Sequence, residues 1–332
     1  MLEKIDLTKK LTKAEYKAQM PDLHNRLYDL QKACWDANIP SVIIFEGWDA
    51  SGKGTSINVL TRRLDPRGFT LYPIQAPRTF EIHMPWLWRF WLKLPNYGRM
   101  AIFDRSWYGR VLVERVEGFT PEEQWRKGYR DIVDFERTIA DDGYVVIKFW
   151  LHISKKEQKK RFKKLEKDPL ESWHVQAEDW EHYRHYEEYM VAVEEMLERT
   201  DTEWGRWTIV EATDRRWARV KILETIIRRL EEALQERGLP LPEGRPAKVP
   251  ALPDAGQVPL TEMGLSSRVS RSLEQAGLAT VRDVMGRLAG GDEGLLELDG
   301  IGPKSLVEIK RCIESLASSG AEPAPQGQGK EE

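Results

Sequence analysis

Between residues 46 and 56 the chain reads EGWDASGKGTS. Gly47, Gly52 and Lys53 follow the pattern of a glycine, four residues, then Gly-Lys. Placed between a strand and a helix, such a loop turns successive backbone N–H groups inward. The helix N-terminus adds about half a positive charge. This is a cradle for phosphate, with Gly47, Ala50, Gly52 and Gly54 as its backbone and Lys53 reaching the outer phosphates. The residue after Lys53 is Gly54 rather than the usual Ser or Thr; the hydroxyl arrives one position later, at Thr55.

A carboxylate, Asp49, stands inside this cradle, and a second, Asp104, follows the apolar run RMAIF. Two carboxylates aimed at polyphosphate repel it unless a cation lies between them, so Asp49 and Asp104 are the candidate ligands for Mg²⁺. Asp49 has two further readings: orienting the attacking phosphate of an acceptor, or closing an Asx turn within the loop. After Asp104 comes Arg105, which cannot act as a base but can neutralise charge on a transferring phosphoryl group. That choice favours phosphoryl transfer to an acceptor over hydrolysis. The candidate catalytic set is therefore Asp49, Lys53, Asp104 and Arg105.

These residues need elements to hold them. SVIIF (41–45) and RMAIFD (99–104) read as buried strands ending at the glycine loop and at the Asp-Arg pair. FTLYPIQ (69–75), YVVIKFWL (144–151) and RWTIVEA (206–212) read as further strands. Helices are predicted over 13–37, 53–64, 84–94, 107–116, 121–141, along the basic stretch that starts at Ile153, over 176–199, and from Arg215 to Gly238. Apolar strands alternating with helices imply an α/β fold: a parallel sheet covered on both faces, with ligands at the carboxyl ends of the strands. The basic run 155–164, followed by the aromatic and charged stretch to about 190, reads as a lid that closes over phosphate. Trp86, Trp88 and Trp91 read as packing residues, and the histidines, His182 and His185 among them, as structural.

The chain has 332 residues and a formal net charge of -3, so any anion site must be a local cluster of Lys and Arg. Cys34 and Cys312 lie far apart without metal-type spacing, which fits free thiols in a reducing cytosol. The N-terminus lacks an apolar signal segment, and no run approaches the ~20 apolar residues of a membrane helix. A cytoplasmic protein with no membrane partner is expected. A Pro-rich linker is expected at 239–259, between an N-terminal domain (1–238) and a small domain (260–317), with a disordered tail at 318–332.

Four stretches together, EGWDASGKGT, LDPRGF (64–69), IFDRSWYGRVLVERV (102–116) and KKRFKKLEKDPLESW (159–173), resemble the family-2 polyphosphate kinases over about residues 10–235. The resemblance implies a P-loop kinase-like fold with a helical lid, moving phosphoryl groups between inorganic polyphosphate and nucleotides with Mg²⁺. It implies that Asp49 and Asp104 hold the metal, that Lys53 and Arg105 bind and neutralise phosphate, and that Arg161 clamps the transferring group. Arg110 and Lys160 would belong to the basic path for the polyanion. The wording around PWLWRFWLKLP and SWYGR looks most like members that phosphorylate AMP to ADP; acting on ADP, or on both, is the alternative. Gly109 departs from the acidic residue of many relatives and points to a different acceptor from theirs. A homo-oligomer is implied.

Residues 264–316 resemble a helix-hairpin-helix domain similar to the C-terminal domain of the bacterial RNA polymerase alpha subunit. In its hairpin, Gly300, Gly302 and Lys304 are the candidate contacts to a nucleic-acid phosphate. A protein partner or polyphosphate capture are the alternatives, since acidic residues balance the basic ones there. Two other activities stay open on the residues alone: an ATP-dependent nucleotide kinase, and a DNA-linked ATPase driven by the phosphate loop.

Overall fold

The computed structural model describes residues 2–243, 260, 265–288 and 293–319. Its chain divides into two compact units, Met1–Arg245 and Pro246–Glu332.

In the first unit, helix α1 (Lys13–Asp36) starts at a capping box: the Thr12 hydroxyl accepts from Glu15 N, and the Glu15 carboxylate accepts from Thr12 N. The chain then enters β1 (Ser41–Gly47), whose residues Val42 to Phe45 are fully buried. Such β-branched and aromatic residues are worth about 1.5–3 kcal/mol each when removed from water, so the strand belongs at the centre of the sheet. The phosphate-type loop leads into α2 (Lys53–Thr61), then β2 (Phe69–Pro73), the short α3 (Trp88–Trp91) and β3 (Met100–Asp104). α4 (Val113–Val116) and the long α5 (Glu122–Asp141) precede β4 (Val145–His152), buried along its whole length. α6 (Lys155–Glu166), α7 (Ala177–Arg184) and α8 (Tyr186–Thr200) follow, then β5 (Trp207–Glu211) and α9 (Arg215–Glu236). Asp214 caps α9 by accepting from Arg216 N and Trp217 N.

The five strands form one parallel sheet in the order β2-β3-β1-β4-β5. Strand order reverses beside β1, and in open α/β sheets that is where ligands gather. Register sets Asp104 opposite Phe45, and Leu151 opposite Gly47, so the ends of three strands meet at one crevice.

Three helix expectations change: the stretch 107–116 is a 3-10 turn at Trp107–Arg110 followed by the single-turn α4. Of 84–94, only α3 is helical, preceded by a 3-10 turn at Glu81–His83. Pro85 and Pro95 bracket the segment, and Arg89 is drawn inward onto Gln75 O and Glu81, which holds it as a folded loop. The stretch 176–199 breaks between α7 and α8 at His185.

The second unit contains α10 (Ser267–Gln275), α11 (Val281–Leu288), α12 (Glu293–Leu296) and α13 (Pro303–Ser319), packed around Val269, Leu273, Val284, Leu295 and Ile309. Gly300 sits at φ 84°, and a Cβ there would meet the Ser272 hydroxyl at 2.5 Å. Most of the expected linker and tail, and the side chain of Lys304, lie outside the described residues. No helix among the described residues is long and apolar enough to cross a membrane.

Candidate active site

The loop between β1 and α2 has the geometry its glycines require. Gly47 lies at φ 149°, and a Cβ on it would meet the Leu151 carbonyl oxygen at 2.6 Å. Gly52 takes φ 106° as the N-cap of α2. Ala50 is left-handed at φ 56° without being glycine, a local strain held by the surrounding structure. Lys53 folds back over the loop, donating to Gly47 O (2.8 Å) and Trp48 O (3.2 Å). Thr55 donates its hydroxyl to Gly52 O.

Asp104, at the end of β3, faces α2: its Oδ2 would stand 3.9 Å from a Cβ at Gly54. A side chain at 54 would thus lie in van der Waals contact with that carboxylate. Arg105 takes φ 63°, again left-handed, with its N–H donating to Phe45 O (3.0 Å). Its exposed guanidinium reaches back to Asp49 Oδ1 at 3.0 Å. Lys53 Nζ lies 3.9 Å from the same oxygen, and His182 Nδ1 donates to Oδ2 at 3.0 Å. Burial alone would raise the Asp49 carboxyl; the His182 bond, with Lys53 and Arg105 alongside, instead holds it well below the usual carboxylate range. Conversely, the hydrogen bond to Asp49 raises His182.

The structure thus brings Asp49, Lys53 and Arg105 together, with Asp104 at the neighbouring strand end. It places the other basic residues differently. The Arg161 guanidinium is buried beneath the loop, donating to the carbonyls of Ala50, Ser51, Ala212 and Thr213, so its fork supports the loop's backbone. Lys160 points to solvent beside Glu157. Arg110 pairs with Glu114 and Thr120, its guanidinium over the Trp86 ring.

Sequence reasoning missed several members. His182, read as structural, sits on Asp49 from 133 residues away; that contact corrects the reading, and no local spacing signals it. Asp179, one turn before it on α7, brings a carboxylate within 4.8 Å of ligand atoms of Asp49 and His182. Glu46, buried beneath the loop, accepts from the Ser106 hydroxyl at 2.8 Å, and burial pushes its carboxyl up to about 7. Glu46 and His182, with Gly109, Leu112, Val113 and Tyr189, line a small pocket beside the loop. Trp48 forms part of its wall, stacked on Tyr186 of α8 at 4.2 Å and 19°.

A parallel sheet whose central strand enters a glycine loop capped by a lysine, with a carboxylate on the adjacent strand, defines a phosphate-loop protein. The family profile described as Polyphosphate kinase 2 matches residues 10–238, and the chain belongs to that family. A second profile, the C-terminal domain of the bacterial RNA polymerase alpha chain, matches residues 251–315. A polyphosphate:AMP phosphotransferase of Pseudomonas aeruginosa is 44% identical over 236 residues, covering 71% of this chain and 48% of that protein. Another, from Pseudomonas syringae pv. tomato, is 43% identical over 233 residues, covering 70% and 47%. The chain spans about half the length of these relatives. Among crystal structures, a polyphosphate kinase 2 from Arthrobacter aurescens TC1 superimposes with a TM-score of 0.68 at 29% identity, covering 74% of this chain and 88% of that one.

Proposed function

We propose that the protein transfers a phosphoryl group from inorganic polyphosphate to AMP, giving ADP. The observation that carries this is the Arg105 guanidinium 3.0 Å from Asp49 across the mouth of the loop. A guanidinium offsets charge on a transferring group without taking up a proton, which favours an acceptor nucleotide over water. The names of the relatives supply the donor and the acceptor.

In this reading the N–H groups of Gly47, Ala50, Gly52, Gly54 and Thr55, with Lys53, hold phosphate. Lys53 leaves the Gly47 and Trp48 carbonyls to do so. Asp104, with Asp49 once its cationic neighbours turn to phosphate, would hold Mg²⁺; carboxylate donors suit a hard cation. When bound, the metal would supply charge neutralisation on the phosphates. Catalysis is positioning and electrostatics, without a covalent enzyme intermediate. Lys160 and Arg110 line the approach of the polyanion, residues 155–190 act as the lid, and the protein works as a homo-oligomer. The C-terminal unit takes no part in the chemistry; Gly300, Gly302 and Lys304 offer DNA or a protein partner a hairpin.

The test is direct. Purified protein is incubated with Mg²⁺, long-chain polyphosphate and, separately, AMP, ADP or GMP, with no ATP present. ADP formed from AMP is expected. Conversion of ADP alone would move the acceptor to the diphosphate, and no product from any acceptor would overturn the reading.

A further inference from the structure

Below the phosphate site, in the middle of β4, Lys148 is completely buried together with its partner Glu136 of α5. The two charges are 2.9 Å apart. All three Lys148 protons are used: on Glu136 Oε2, on the Tyr108 hydroxyl at 3.0 Å and on Thr200 O, at the end of α8, at 2.7 Å. Glu136 Oε1 in turn accepts from Trp107 Nε1 at 3.0 Å and from the Tyr108 hydroxyl at 2.6 Å. A pair this deep recovers its desolvation cost only through such complete satisfaction, and well-packed apolar replacements of both partners are often as stable or more so. Stability alone does not account for it.

What the pair grips is the turn after β3. Trp107 and Tyr108 follow directly on Asp104, Arg105 and Ser106, and both attach to Glu136. Ser106 is fixed to Glu46, and Arg105 N–H to Phe45 O. Arg105, at φ 63°, has an uncommon conformation for a long side chain, one that persists only where neighbours over-determine it.

We propose that Glu136 and Lys148 are positioning residues for the phosphoryl-transfer site: through Trp107 and Tyr108 they hold Arg105 in the left-handed conformation that aims its guanidinium at Asp49. The role of Arg105 in transfer rests on the function proposed above. The clamp on the turn does not.

The experiment uses the full chain carrying Glu136→Gln and Lys148→Met together, which removes both charges while keeping volume and an acceptor for Trp107. Circular dichroism and thermal midpoint establish that it folds. Amide hydrogen exchange across residues 104–109 is expected to lose about tenfold or more of its protection, with β1 unchanged. In the polyphosphate and AMP assay, kcat is expected to fall about thirtyfold or more with the KM for AMP within about threefold, the mark of lost transition-state alignment. A folded variant with wild-type exchange at 104–109 and wild-type kcat overturns the proposal. Wild-type protein that fails the assay overturns the function, and the exchange measurement still decides the clamp. If the double variant does not fold, Tyr108→Phe, which deletes the hydroxyl shared by both charges, is read in the same two ways.

Discussion

Nδ1 of His182, on α7, lies 3.0 Å from Oδ2 of Asp49, in the middle of the glycine loop. One hydrogen bond thereby joins the segment expected to cover phosphate to the carboxylate expected to serve it. A charge-assisted bond of this kind contributes about 1.5–3 kcal/mol, enough to change the population of an opened α7 by roughly tenfold or more. His182→Ala should therefore speed limited tryptic cleavage between residues 163 and 184 by about that factor, with the rest of the unit as resistant as before. Cleavage at the wild-type rate would show that the contact does not hold α7 in place.

Asp49→Asn keeps the size of the side chain and removes its charge. Phosphoryl transfer should drop by about a hundredfold or more while the protein still folds, because the loop's backbone rests on Arg161 and Lys53 rather than on Asp49. Steady-state turnover across a Mg²⁺ titration checks it; wild-type turnover with unchanged metal dependence would remove Asp49 from the metal site.

Arg161 and Lys160 are neighbours with opposite duties. Arg161→Met strips four carbonyls of their donor and should destabilise the first unit by about 3 kcal/mol, a fall of about 6–12 °C in thermal midpoint. Lys160→Ala, on the exposed side of α6, should change stability by less than about 0.5 kcal/mol. Scanning calorimetry on both variants separates them, and equal midpoints would contradict the assignment of Arg161 as the loop's support.

His152, at the end of β4, is buried and accepts from Trp48 Nε1 at 3.0 Å. Burial holds its imidazole down at about 4. Its unfolded value is higher, about 6.5, so between those two limits the unfolded chain binds a proton that the folded one refuses. Stability should fall as pH drops from about 6.5 toward 4, by up to about 3 kcal/mol at the lower limit. In His152→Asn, whose amide oxygen can accept from Trp48, that part of the slope should vanish. Urea denaturation at pH 7, 5.5 and 4.5 measures it.

The parts of this molecule written into contiguous residues were readable in advance. SVIIFEGWDASGKGT carries its strand, loop and helix start in one stretch, and RMAIFD ends a second strand on its carboxylate. Segment 84–94 misled because its apolar spacing suits a helix, whereas Pro85, Pro95 and the inward pull on Arg89 decide otherwise. His182, Glu46 and Lys148 were illegible for another reason. Their partners lie 12 to 133 residues away, and only the sheet order brings α5, α7 and the β3 turn against them. A lysine inside the apolar run VVIKFWLH was the one visible hint that a buried partner had to exist.

The stack of Trp48 on Tyr186 has a mechanical meaning. One ring belongs to the loop between β1 and α2, the other to the first turn of the helix into which α7 runs. The two segments are thus joined through one aromatic contact. Any shift of residues 48–50 therefore has to be taken up at the start of α8, where Trp48 and Tyr186 lie face to face.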